Sequence, residues 1–155
     1  MIPRDLLAQA DYLCRLSPKR PKQANLRRAV SASYYAVFHA LCRSNADALV
    51  GKGAARPTRA WMQTYRALDH AQAKSRCKEA GSRGFPLSIQ ALADSFVSLQ
   101  EHRHRAEYNP DQSFTKKEAA FIVGLARSAV AAIDIAPARD RRAFAIHVLL
   151  PYRKS

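Results

Sequence analysis

The stretch Asn25-Leu-Arg-Arg-Ala-Val-Ser-Ala-Ser-Tyr-Tyr-Ala-Val-Phe-His-Ala-Leu41 carries two helical stripes at once. Leu26, Val30, Tyr34, Val37 and Leu41 recur at steps of three and four and form an apolar face. Arg28, Ala32, Tyr35, His39 and Arg43 step in the same way along a neighbouring face that is aromatic and basic. A strand would alternate at every second residue, so this period predicts a long helix over about Gln23 to Ala48. Tyr35 and His39 lie one turn apart, where a phenol and an imidazole can address one ligand or one partner helix, or belong to an interhelical hydrogen-bond pair in the core.

Reading outward, helical periodicity dominates. A first helix is predicted from about Asp5 to Leu16, with Leu6, Ala10 and Leu13 on one face, ended by Ser17-Pro-Lys-Arg-Pro21. After Gly51-Lys-Gly-Ala-Ala-Arg-Pro57 comes a third helix, from about Thr58 to Cys77, carrying Trp61, Tyr65 and Leu68. Gly81-Ser-Arg-Gly84 interrupts the chain before a fourth, from about Pro86 to Tyr108, which Asn109-Pro110 stops because the residue before proline disfavours the helical region. A fifth begins at Thr115, where Thr115 and Glu118 have capping-box spacing, and continues through Ile122, Leu125, Ala129 and Ile133 to Pro137. The remaining segment reads differently. Phe144, Ile146, Val148 and Leu150 alternate with Ala145, His147 and Leu149, which predicts a short strand or extended arm. The expectation is therefore an all-α antiparallel bundle of about five helices over residues 1–136, and an extended tail over residues 137–155 that could add a strand to a partner.

The fourth helix ends in Leu99-Gln-Glu-His-Arg-His-Arg-Ala-Glu-Tyr-Asn-Pro110. Its apolar stripe of Ile89, Leu92, Phe96 and Leu99 continues at Arg103 and Ala106, so a guanidinium stands where a buried Leu would be expected. Such a group is costly to bury unpaired; it faces a polar groove, a partner or an anion, or else it snorkels to solvent at the last turn. This helix end is the first candidate site.

The chain has 155 residues, enough for one core without metal or disulfide staples. Its 26 Lys and Arg against 12 Asp and Glu give a formal net charge of +14, a field that favours RNA or another polyanion. Cys14, Cys42 and Cys77 are widely spaced and show neither CxxC spacing nor a disulfide framework, so they read as core thiols of a reducing compartment. The N-terminal segment lacks the apolar run of a secretory signal and no stretch is long enough to span a membrane, so a cytoplasmic setting is expected. No Gly-rich phosphate loop, HExxH, nucleophile elbow or paired Cys/His pattern occurs, and the expectation is no cofactor and no metal.

The stretch from Asn25 to Leu41 resembles the second helix of small bacterial HEPN-like proteins, whose signature has the form A-x-x-x-Y-Y-A-x-F-H. Arg103-His-Arg-Ala-Glu-Tyr108 resembles their R-x-x-A-D-Y segment, with Glu107 in place of Asp, and Tyr65-Arg-Ala-Leu-Asp-His70 is also similar to that group. The resemblance covers about residues 5 to 135. It implies a helical bundle that dimerises, in bacterial defence or toxin–antitoxin systems, where a cognate antitoxin is a protein partner. Many HEPN domains are metal-independent RNases with an R-x4-6-H motif. The chemistry needs no metal because RNA brings its own 2′-hydroxyl nucleophile, while a His moves protons and an Arg stabilises the phosphorane.

This chain departs from that motif. Four to six residues beyond Arg103 there is no His, and Tyr108 stands at the nearest position. A formal match, Arg142-Ala-Phe-Ala-Ile-His147, falls in the tail. The enzyme reading thus assigns phosphate binding to Arg103, proton transfer to His102 or His104, and orientation or acid work to Tyr108. Arg28, Tyr35, His39, Arg43, Arg66, His70 and Arg105 are the candidates for contact with nucleic acid or a partner, Arg66 and His70 having with Asp69 the alternative of an interhelical network. The competing classes are a noncatalytic module that binds RNA or a protein, and an interaction protein that works through its tail.

Overall fold

The long helix is present. A computed structural model describes residues 1–16 and 19–154, and in it α2 runs Gln23–Leu49. The other helices among the described residues are α1 (Ile2–Arg15), α3 (Thr58–Tyr65), α4 (His70–Lys78), α5 (Leu87–Tyr108), α6 (Lys116–Ile135) and α7 (Ala138–Leu149). The fold is all-α, with bundled helices and no strand among the described residues. Ser17 and Pro18, within the break expected after the first helix, lie outside the described residues, as does Ser155.

Three expectations are corrected. The helix predicted over Thr58 to Cys77 is two helices, because Asp69 caps α4: its side chain accepts from the Gln72 backbone N–H at 2.8 Å, satisfying an end that a continuous helix would not have. The face of α1 is set by Leu7, not Leu6; Leu7, Ala10, Leu13 and Cys14 are buried. The segment expected as a strand is α7. Its buried residues are Phe144, Ala145, His147 and Val148, spaced one, three and four apart, while Ile146 is exposed. The alternation misled because it counted His147 as a solvent-facing residue, and only Leu150 onward is extended. With these changes seven helices, rather than about five, occur among the described residues.

The packing divides the chain into two compact units, one of residues 1–40 and 95–131, the other of residues 41–94 and 132–155. In the first, Tyr34 is fully buried, as are Leu26, Ala29, Val30 and Val37, so the apolar stripe of α2 is the core face the sequence predicts. The Tyr34 ring meets Phe96 of α5 at 5.5 Å between centroids, a tilted aromatic pair. Ala119, Ile122, Val123, Ala126 and Ala129 of α6 and Leu7, Ala10 and Leu13 of α1 complete that core. The capping box at the start of α6 is formed: the Glu118 N–H donates to Thr115 Oγ1 at 3.0 Å and the Thr115 N–H to Glu118 Oε2 at 3.3 Å.

In the second unit the core holds Leu41, Cys42, Leu68, Cys77, Ile89, Leu92, Ile133, Phe144 and Val148. The break after α2 turns on Gly51 and Gly53, whose φ values of 122° and 89° lie where other residues are strained. Gln72 of α4 donates from Nε2 to the carbonyls of Val148 and Leu149 at 3.0 and 3.3 Å, satisfying two carbonyls at the C-terminus of α7. His147 is 2% exposed. Its Nε2 meets the Arg76 carbonyl at 2.7 Å; a carbonyl only accepts, so Nε2 carries the proton, and in the neutral ring Nδ1 accepts from the Tyr152 hydroxyl. Tyr152 in turn lies under the guanidinium groups of Arg76 and Arg83, 4.7 and 3.6 Å from its ring centroid. The end of the chain thus folds back on α4 and α7.

Candidate nucleic-acid interface

The end of α5 is fixed by a residue on another helix. Arg27 of α2 donates from Nη1 to the carbonyls of Ala106 and Asn109, both at 2.9 Å, and from Nη2 to those of Pro110, at 3.2 Å, and Gln112. These are carbonyls that the last turn of α5 and the following loop leave without helical partners, and a cation there also suits the helix dipole. Gln23 holds the next residues: its Nε2 donates to the Phe114 carbonyl at 2.7 Å and its Oε1 accepts from the Phe114 N–H at 2.9 Å. The loop from Asn109 to Phe114 is therefore bound to the first turns of α2.

On this support Arg103 occupies a mostly buried place, its side chain 13% exposed. Its Nη1 meets Glu107 Oε2 at 3.0 Å and the Tyr35 hydroxyl at 3.5 Å, and its guanidinium lies 5.0 Å from the Tyr34 ring centroid and 5.7 Å from that of Tyr35. Burial works to lower its pKa, but Tyr35, Glu107 and Tyr34 outweigh burial and the pKa is raised. The stripe arithmetic was right that the guanidinium interrupts a core face. Its Nε is buried with no hydrogen-bond partner among the described residues.

Successive residues of a helix are rotated by about 100°, so His102, Arg103 and His104 point to three faces. His102 borders a groove of about 460 Å³ with Arg105, Gln112, Phe114, Lys117, Glu118, Phe121 and Ile122. Burial and the neighbouring Arg105 lower the His102 pKa against the weaker raising effects of Glu101 and Glu118, which keeps the ring neutral near pH 7. His104 is exposed and pairs with Tyr108 one turn on, centroids 4.9 Å apart. Arg103 goes with Glu107 and the tyrosines. The four residues assigned to catalysis are thus distributed over three faces.

Of the expected contact residues, Tyr35 joins Arg103 and Arg105 joins His102 in the groove. Arg28 is exposed on α2, and His39 is half-buried with its ring edge-on to Phe38 and its pKa lowered by burial. Arg43, Arg66 and His70 belong to the second unit: Arg43 lies 3.8 Å from Asp47, Arg66 is the exposed C-cap of α3, and His70 is the first residue of α4. The formal Arg142–His147 match is not a site, since both His147 ring nitrogens are engaged within the second unit.

The sequence reading missed Arg27, Lys117 and Phe121. Phe121 is 70% exposed, an aromatic ring in the groove wall beside two cations. One signal was available for it: it sits next to the Ile122–Leu125–Ala129 stripe and not on it. Nothing in the sequence marks Arg27. Among the described residues no three His, Cys, Asp or Glu side chains form a metal-binding group, and no single helix is long and apolar enough to cross a membrane. The chain matches no protein-family model, no curated protein and no solved structure.

Proposed function

We propose that this chain is a HEPN-like, noncatalytic RNA-binding module, and that single-stranded RNA docks in the groove between the C-terminal part of α5 and the start of α6. The observation that carries the reading is the exposed Phe121 beside Arg105 and Lys117 in that groove. A base can stack on the ring while the two cations hold flanking phosphates, a combination that single-strand binders use. His102 in its neutral form adds a donor or acceptor for a base edge. The net charge of +14 supplies long-range attraction. A cytoplasmic setting, which the three buried free thiols suit, is part of the same proposal, as are a homodimer and a place in a defence or toxin–antitoxin system beside a cognate antitoxin, which rest on the resemblance alone.

The test is fluorescence anisotropy with a labelled single-stranded RNA across a salt series. Phe121→Ala should weaken binding roughly 5- to 150-fold, the range for losing one stacked base. Arg105→Ala with Lys117→Ala should flatten the slope of log affinity against log salt by about 1.4, since each phosphate contact to a single strand contributes about 0.7. Binding that is unchanged in both variants refutes the groove.

The second reading, a metal-independent RNase, has one observation in its favour. The unpaired Nε of Arg103 is a donor that a phosphate oxygen could take. It requires a His to reach the same phosphate although His102 and His104 lie on other faces. Incubating a mixed RNA pool in EDTA with wild type and Arg103→Ala decides: cleavage by the wild type alone supports the enzyme.

A further inference from the structure

The second unit contains a cavity of about 280 Å³ bordered by Ser44, Asp47, Lys52, Ala138, Arg141 and Arg142. Three cations on one small concavity repel one another unless something anionic lies between them. The one carboxylate in the wall is already committed. Asp47 Oδ1 accepts from the Trp61 indole N–H at 2.9 Å and lies 3.6 Å from Arg56, and its Oδ2 lies 3.8 Å from Arg43. Arg56 is itself stacked on Trp61, 3.8 Å from the ring centroid. Two arginines from outside the cavity wall thus attend Asp47, and Lys52, Arg141 and Arg142 have no ion-pair partner among the described residues.

A second observation points the same way. Arg141 buries its Nε with no hydrogen-bond partner among the described residues, and it also borders a small void lined by Leu41, Ile133 and Phe144. A guanidinium held against apolar walls is attracted to an anion more strongly than one in water, because little solvent screens it. Its rigid fork suits a phosphoryl oxygen, whereas Lys52 offers a mobile point charge. Ala138 places the first residue of α7 at the same wall, and Pro137, the N-cap, gives that helix no side-chain cap. Asp140, the acid of its first turn, is not among the cavity residues. The positive end of α7 therefore adds to the same field.

We propose that this cavity binds the terminal phosphoryl group of a small phosphomonoester. Three cations match a dianionic terminal phosphate better than the single charge of a phosphodiester. The volume is at the small end of ligand sites, suited to inorganic phosphate or a nucleoside monophosphate. The site is separate from the α5–α6 groove and does not depend on that reading. It also gives a role to Arg142, whose formal motif partner His147 has both ring nitrogens engaged.

The full chain is titrated calorimetrically at low ionic strength with inorganic phosphate, with AMP and with adenosine. Binding of phosphate and AMP but not adenosine is expected, with AMP tighter if the cavity takes a nucleotide and equal to phosphate if it takes the free ion. Arg142→Gln with Lys52→Gln, both at exposed positions, should weaken phosphate binding at least about tenfold while Arg105→Ala with Lys117→Ala leaves it unchanged. Arg141→Gln should do the same where its thermal melt confirms folding. The proposal is overturned if the wild type binds neither phosphate nor AMP at millimolar concentration, if adenosine binds as well as AMP, or if the Arg142/Lys52 variant binds like the wild type.

Discussion

Arg27→Gln should cost more stability than any other single substitution at a charged residue of the first unit. The side chain serves four carbonyls, of which those of Asn109 and Pro110 are exposed enough for water to replace it. The bonds to Ala106 and Gln112 are part-buried, and each hydrogen bond to a charged donor is worth about 1.5–3 kcal/mol when its partner is left dry. Because one side chain makes both, the losses do not simply add, and about 3 kcal/mol is expected for the pair. In a chain of this size that corresponds to a fall in Tm of roughly 6–12 °C. Arg27→Lys keeps a cation at the C-terminus of α5 but cannot span the loop, and should recover only about 1 kcal/mol. Thermal unfolding by circular dichroism of the three proteins is the assay. A Gln variant that melts within about 1 °C of wild type would show that Arg27 does not hold this loop, since that shift is well under 1 kcal/mol. RNA affinity should fall as well, although Arg27 does not border the groove, because Gln112 does.

Three further outcomes are expected. Burial pushes the Cys42 and Cys77 thiols up to about 12 and raises that of Cys14, so all three should react slowly with a thiol reagent in the native protein and at once in denaturant; rapid labelling of Cys42 or Cys77 in the fold would contradict their burial. His39 and His102 have lowered pKa values, so below the usual 6.5 the unfolded chain binds more protons than the folded one, and stability should fall as pH drops from about 7 through that value. Urea unfolding at neutral and mildly acidic pH checks this, and His39→Gln should reduce the dependence. Tyr152→Phe leaves His147 Nδ1 without its donor and should lower the urea-derived stability by about 1 kcal/mol, with Tyr152→Ala costing more because the contacts to Arg76 and Arg83 go as well; an unchanged midpoint in both would mean the end of the chain does not brace α7.

What was legible in the sequence was what period and breakers encode. α2, α5 and α6 came out nearly to their ends because their stripes are long and because Asn109-Pro110 and the Thr115–Glu118 box act locally. α7 was lost because its apolar positions crowd into Ala143 to Leu149, a run that also fits alternation, and His147 counts as polar until its two partners, Arg76 and Tyr152, are known. Arg76 is distant in sequence, and Tyr152, five residues on, lies beyond the helix end at a spacing that is neither helical nor alternating, so the local pattern points to neither. The split of the third helix was different in kind. Asp69 is a good N-cap residue and Gln72 stands at the right distance, so the signal was present but was overridden by the run of Trp61, Tyr65 and Leu68.

The site shows the same division between local and tertiary information. That Arg103 would stand on a core face followed from arithmetic on Leu99, and the structure bears it out. What it does there depended on Glu107, one turn away and already visible, and on Tyr34 and Tyr35, which α2 brings from sixty-eight residues back in the case of Tyr35. Adjacent tyrosines on α2 serve the guanidinium in two ways: Tyr34 from the core side with its ring, Tyr35 with ring and hydroxyl. A guanidinium so held, with an acid 3.0 Å away, is a poor candidate for capturing a passing phosphate, because the ligand must first displace Glu107. Arg105 and Lys117 are exposed in the groove wall, so a phosphate reaches them directly from solvent. The motif that draws the eye is therefore the braced one. Two residues further along α5, Arg105 faces the groove, and with Lys117 of α6 it is open to a ligand.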